Sequence, residues 1–181
     1  MTKDQYKSFA ERYDWMKQEN PIRKVSYCDL SENYDEAFDA VVCLSNSINE
    51  PLEDADTLRA LRSMKSALRP GGILVFDQGQ TDLSMQNPPS FVPILNNRDF
   101  TRFFTMEYSG DVQTVNIFDF IHTSDTSDFQ HFSIKIRIRL LDSWYQILRE
   151  AGFDDVEFFG NWDSTPYDKE LSRRLIAVAK K

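Results

Sequence analysis

The chain has 181 residues and a mass of 21.2 kDa, with 21 Lys and Arg against 29 Asp and Glu, a formal net charge of −8 and a sequence pI near 4.8. Hydrophobic residues make up 41% and aromatics 13%, including 14 Phe, which is enough to bury a core in one domain and excludes a disordered chain. The acidic balance, with no Lys or Arg run longer than a pair, argues against nucleic acid and anionic membranes as partners and leaves small molecules.

No apolar stretch reaches the roughly 18 residues of a membrane span, and the polar opening Met1 to Gln5 does not read as a signal peptide, so a cytoplasmic protein is expected. Residues 3 to 18 place Tyr6, Phe9, Ala10, Tyr13 and Met16 at helical spacing between charged residues, which predicts an amphipathic N-terminal helix within residues 1–20. Pro21 ends it. A short apolar run, Val25 to Leu30, follows. Residues 37 to 44, AFDAVVCL, are almost continuously apolar, the pattern of a parallel strand buried on both faces.

Pro51, Glu53, Asp54 and Asp56 then supply a helix start, and Leu58, Leu61, Met64 and Leu68 its apolar face. Arg69-Pro70-Gly71-Gly72 stops that helix, and residues 73 to 77 form a second apolar strand ending in Asp77. Strand, helix and strand in this order make a βαβ unit with a right-handed crossover. Residues 79 to 98, rich in Pro, Asn and Gln, read as a long loop serving a site. Three antiparallel strands are expected at 102–108, 113–122 and 129–140. In the last, Phe132, Ile134, Ile136, Ile138 and Leu140 alternate with Ser133, Lys135, Arg137 and Arg139, so one face is buried and the other wet. A basic face over an anionic ligand is the alternative for the three cations. A helix at 142–151 and strands at 155–162 and 174–180, a closing hairpin with a wide loop, complete the chain. Cys28, Cys43, His122 and His131 have no zinc spacing, and no metal site is expected.

The ordered series FDAVVCLSNSINE, LRPGGILVFD and LLDSWYQILREAGFDDVEFF resembles the second half of a class I S-adenosylmethionine-dependent methyltransferase, over about residues 25–78 and 140–181. Cys43-Leu44-Ser45-Asn46-Ser47 is nearest to the small-molecule N-methyltransferases of the glycine and sarcosine type, and YKSFAERYDWM is similar to the aromatic segment before the nucleotide fold of that family. The resemblance implies an α/β, Rossmann-like sheet, mostly parallel with an antiparallel closing strand. It implies one domain over 1–181, with the sheet core in 25–78 and 141–181 and a three-stranded antiparallel excursion in 79–140 that covers the substrate. S-adenosylmethionine is the implied cofactor and a small amine the implied acceptor; a homodimer is compatible with it.

One part of the family pattern is missing. All six glycines lie at or after Gly71, so the glycine-rich turn and the ribose-binding acid of the first two βα units have no counterpart. The passage at residues 20–24 leaves no room for them, since two such units need on the order of 60 residues. The junction at Ile22-Arg23-Lys24 therefore reads as a place where chain has been lost, either from a longer protein, the favoured case, or in a natural remnant. The 181-residue chain by itself is expected to be inactive, and a methyltransferase-like regulatory subunit without activity is the rival reading.

Residue by residue, the resemblance places Tyr13 near the methionine part of the cofactor, Asp29 on the adenine amine and Leu30 against its ring, with Leu44 and Ser45 in the same pocket at the carboxyl end of their strand. Asn46 faces the methyl acceptor. The glycine-specific branch has an arginine two residues beyond the acid matching Asp77, where this chain has Gly79, which argues against glycine itself as acceptor. Arg98 and Arg102, just after the long loop, are the expected replacement for binding an acceptor carboxylate. No catalytic residue is assigned, because methyl transfer asks the protein to align the acceptor and exclude water rather than to supply an acid or base.

Overall fold

The computed structural model describes residues 34–181, which form two compact units. The expected N-terminal helix, the run Val25 to Leu30 and the junction at residues 20–24 lie outside the described residues.

The first unit, residues 34–88 with 136–181, carries a four-stranded sheet of order β1-β2-β8-β7. β1 (Phe38–Cys43) is followed by a single 3-10 turn, Ser47–Asn49, and by α1 (Asp54–Ala67). β2 (Leu68–Gln78) then runs parallel to β1. After α2 (Leu141–Glu150) come β7 (Asp155–Phe159) and β8 (Leu175–Lys180). β8 pairs antiparallel with both β2 and β7, so β1, β2 and β7 point one way and β8 alone points the other. This is the expected parallel sheet with an antiparallel closing strand.

Local sequence explains the joints. α1 has Asp54 and Asp56 in its first turn and Lys65 in its last, each opposite in sign to the partial charge of the helix end it occupies. Its end passes without a loop into β2, because Arg69 to Gly72 do more than stop the helix: Phe38 pairs with Leu68 and Ala40 with Ile73, so the tetrapeptide is bulged out of the strand. Gly72 suits the bulge, since a Cβ there would crowd the carbonyl oxygens of both Arg69 and Asp39 at 3.0 Å.

The core is built on one face of the sheet. Leu74 and Phe76 of β2 and Leu175, Ala177 and Ala179 of β8 pack with Leu61 and Met64 of α1 and with Trp144, Ile147 and Leu148 of α2. The Phe76 and Trp144 rings lie 4.6 Å apart. Among the described residues both helices serve this face. That is why Val42, expected to be buried, is 57% exposed on β1.

The second unit, residues 89–135, is an antiparallel sheet of order β3-β4-β5-β6, made of Phe91–Asn96, Phe100–Ser109, Val112–His122 and Ser127–Arg137. The sheet has four strands where three were expected. β3 falls inside the predicted loop, and its Pro93 hid it: proline cannot donate to a ladder, but an edge strand leaves that position unused, and the register shifts between Pro93 and Leu95. Alternate residues of β5 from Gln113 to Ile121 are buried, while the other face carries a ladder of rings: Phe91 lies tilted against Phe103 at a centroid distance of 5.3 Å, and Phe103, Phe118 and His131 stack at 5.0 and 4.7 Å.

β6 ends at Arg137, three residues short of expectation. The alternation therefore lapses, and Arg139, assigned to the wet face, is 2% exposed. Its guanidinium pairs with Asp54 at 2.9 Å, donates to the Pro51 carbonyl at 3.2 Å and lies 5.7 Å over the Trp144 ring. A cation can occupy such a place because its charge and its donors are both matched.

Candidate functional site

The carboxyl ends of β1 and β2 are adjacent because the strands are parallel, and open parallel sheets bind ligands at that edge. Leu44, Ser45 and Asn46 form the crest of the loop leaving β1. Ser45 and Asn46 both adopt left-handed backbone, with φ of 61° and 65°. Strained positions of this kind persist only where neighbours fix them.

Asp77 is the neighbour that does so. It is 2% exposed; its Oδ1 accepts the Ser45 N–H at 2.7 Å, its backbone carbonyl accepts the Asn46 N–H at 3.3 Å, and its Oδ2 is bound by Arg174. A return contact comes from Gly79, whose N–H donates to Asn46 Oδ1 at 2.7 Å. The two strand ends are thereby laced together through Ser45, Asn46, Asp77 and Gly79.

A buried polar network lies beneath. Gln78 Oε1 accepts from Trp144 Nε1 at 2.7 Å and from Asn49 Nδ2 at 3.0 Å, and Gln78 Nε2 donates to the Arg139 carbonyl at 2.7 Å. Below the crest, burial first and then the Glu50 and Asp77 carboxylates push the Cys43 thiol up to about 12, so it is neutral and inert at ordinary pH. The following loop is pinned by the Tyr167 hydroxyl, which donates to Asp82 Oδ2 at 2.8 Å and accepts the Asp82 N–H at 3.0 Å. Burial raises the pKa of this phenol.

The expected site residues are placed unequally. Leu44, 44% exposed, and Ser45, whose hydroxyl has no partner among the described residues, share the crest with half-buried Asn46. Tyr13, Asp29 and Leu30 lie outside the described residues. Arg98 is exposed in the turn between β3 and β4. Arg102 does not fit the role given to it. It is 1% exposed and doubly bonded to Asp119 on the neighbouring strand, so this guanidinium already has its carboxylate. An open concavity of about 810 Å³ on the second unit is lined by phenyls including Phe103, Phe120 and Phe129, and none of the expected site residues lines it.

Two participants escaped the sequence. Asp77 was visible as a strand-end acid, but its hold on Ser45 depends on the pairing of two strands. Arg174 lies after an irregular stretch and carries no local signal. Among the described residues no cluster of His, Cys, Asp and Glu could hold a metal ion, and no helix is long and apolar enough to cross a membrane.

No protein-family profile matches the chain. It is similar to the glycine/sarcosine N-methyltransferase of Aphanothece halophytica, with 26% identity over 157 residues covering 84% of this chain and 55% of the relative. The chain thus spans about half the length of the curated relative it matches. Among solved structures it is similar to an S-adenosylmethionine-dependent methyltransferase from Clostridium acetobutylicum ATCC 824, with TM-score 0.73 and 12% identity over 99% of this chain and 72% of that one. It is also similar to the sugar N-methyltransferase KedS8 from Streptoalloteichus sp ATCC 53650, with TM-score 0.67 and 21% identity over 96% and 66% of the two chains. The SAM-bound amino pentose methyltransferase CalS10 from Micromonospora echinaspora gives 0.66 and 16% over 87% and 63%. The fold is therefore the α/β methyltransferase sheet, and the sequence resemblance is borne out.

Proposed function

We propose that this chain belongs to an enzyme that transfers a methyl group from S-adenosylmethionine to the nitrogen of a small amine in the cytoplasm. The observation that carries the reading is the crest at Leu44, Ser45 and Asn46, held open at the carboxyl edge of a methyltransferase sheet by Asp77 and Gly79. The similarity to a glycine/sarcosine N-methyltransferase supports an amine acceptor.

The described residues suit the cofactor. Exposed Leu44 offers an apolar surface for the adenine ring, and the Ser45 hydroxyl a polar contact beside it. When bound, S-adenosylmethionine supplies an electrophilic methyl group, which leaves the protein to bind, orient and exclude water. Asn46 orients the acceptor, its amide held by Gly79. Tyr13, Asp29 and Leu30 complete the pocket in this proposal, together with a glycine-rich segment inserted between about Asn20 and Lys24 in a longer gene product. An intact mass of 21.2 kDa for that product would remove the insertion from the proposal.

Calorimetry with S-adenosylmethionine and S-adenosylhomocysteine, followed by transfer of a labelled methyl group to a panel of small amines, tests the function. Asn46→Ala is expected to cut turnover with cofactor affinity unchanged. A second reading, a regulatory subunit without activity, is favoured by the lack of any glycine before Gly71. No heat with either nucleotide, together with a co-purifying protein partner, would establish it.

A further inference from the structure

Gly79 holds Asn46, yet Gly79 is itself exposed and has no side chain by which to be anchored. Its placement depends on the chain either side of it. Before it, Gln78 is fixed in the buried network beneath the crest. After it, Thr81 to Ser84 form a closed turn: the Thr81 N–H donates to Ser84 Oγ at 2.8 Å, the Ser84 N–H to Thr81 Oγ1 at 3.0 Å, and the Met85 N–H to the Thr81 carbonyl at 3.0 Å. The Ser84 hydroxyl reaches back out of this turn, its proton shared between the carbonyl oxygens of Thr81 at 3.1 Å and Gly79 at 3.2 Å. A displacement of the turn is thereby passed to Gly79.

Tyr167, on the irregular segment between β7 and β8, ties the turn to the sheet. Its hydroxyl donates to Asp82 Oδ2 at 2.8 Å and accepts the Asp82 N–H at 3.0 Å, so one group holds both the side chain and the main chain of the same residue. The phenol is fixed in turn: its backbone N–H donates to the Phe158 carbonyl at 3.0 Å, and its ring packs against the core of the first unit. Burial keeps it protonated, so it always donates. Lys169, two residues further on, is paired with Asp142 at 2.7 Å, which leaves the hold on Asp82 to the directional bonds of the hydroxyl.

Resting on the methyl-transfer reading above, we propose that Tyr167 is a positioning residue for the reaction: through Asp82 and the Thr81 to Ser84 turn it keeps Gly79 where the Gly79 N–H aims the Asn46 amide at the acceptor. Tyr167 acts through these residues and not on the acceptor. A misplacement on the order of 1 Å in an orienting group can cost roughly 100-fold in rate, so a single hydroxyl has the leverage this role asks of it. Groups that touch a substrate hold their geometry only when the groups behind them are locked as well.

Tyr167→Phe removes the hydroxyl and keeps the ring. In the complete protein it is expected to lower kcat about 10-fold while the Kd for S-adenosylmethionine moves less than about 2-fold. Asp82→Ala should match it, and Asp82→Asn, which keeps an oxygen for the phenol, should lose less. Combining Tyr167→Phe with Asp82→Ala should cost no more than either change alone. Additive losses, an equal loss of cofactor affinity, or an unchanged kcat would overturn the proposal and leave the bond a structural tie. Amide hydrogen exchange reads the same link without turnover: in Tyr167→Phe the Gly79 N–H should exchange about 10-fold faster relative to that of Ala177 in β8. An unchanged ratio refutes the link even where kcat falls. If the wild-type protein methylates none of a panel of small amines, methyl transfer is refuted and the exchange ratio alone decides whether Tyr167 positions Asn46: acceleration upholds it and its absence sinks it.

Discussion

Arg102 and Asp119 stand opposite each other on β4 and β5, joined by two hydrogen bonds of 2.6 Å, and neither side chain exposes any surface to water. Two charges removed from water hold each other in place, and either one alone is a liability.

Asp119→Ala should therefore destabilise the protein by about 3–5 kcal/mol by stranding a buried guanidinium. Replacing both partners by apolar residues, Arg102→Met with Asp119→Leu, should recover most of that loss. Urea unfolding of the single and double variants measures both effects. A small loss in the single variant would mean that water reaches the pair.

At the crest of β1, Asp77→Ala should cost about 1–3 kcal/mol by depriving the Ser45 N–H of its acceptor, and in the complete enzyme proposed above it should lower turnover as well. Asp77→Asn retains an oxygen for that N–H and should recover stability more fully than turnover. Thermal unfolding and initial rates on both variants separate the two roles of the side chain.

Much of this arrangement was written locally. Val41 to Cys43, the acids that open α1 and the apolar face of α2 gave their elements because period and end signals agree within a few residues. β3 was lost to Pro93, whose meaning changes at a sheet edge. Alternation continued past Arg137 predicts a solvent-facing Arg139, but the strand stops at Arg137 and the chain turns the Arg139 guanidinium toward Asp54. At the site, Leu44, Ser45 and Asn46 were legible as a string at a strand end. The partners that set their chemistry, Asp77, Gly79 and Arg174, lie 31 or more residues from the contacts they make, and no local pattern encodes a contact of that kind.

Gln78 ties Trp144, Asn49 and the Arg139 carbonyl together inside the first unit. Gln78→Leu should cost about 2–4 kcal/mol, more than one lost hydrogen bond, because it strands several buried groups at once. Adding Trp144→Phe should then cost less than it does in the wild-type background, since the indole N–H is already unpaired. A double-mutant cycle in denaturant gives the coupling directly.

Cys43 sets a limit at alkaline pH. Its thiol is raised from an ordinary 9.0 to about 12, chiefly by burial, so it stays protonated in the folded chain while the unfolded chain ionises. The stabilisation is complete below pH 9 and is lost as pH rises toward 12. In a Cys28→Ser background, unfolding free energy measured from pH 8 to 11 should fall more steeply with Cys43 present than in Cys43→Ala. At pH 8 the Cys43 thiol should react with an aromatic disulfide far more slowly than after denaturation.

The place of β8 bears on how the chain is made. It lies between β2 and β7, and the ribosome makes it after both. During synthesis, among the described residues, β2 has its parallel partner β1 but nothing on its other side, and β7 has no neighbour in the sheet. Closing the sheet requires a late segment to pair at once with a strand about a hundred residues upstream and with one it has just left. Pairings over such separations are slow, and until they form the edges of β2 and β7 that β8 will cover stand open to other chains. A nascent chain halted before Leu175 should therefore be a stronger client for a chaperone than the finished one.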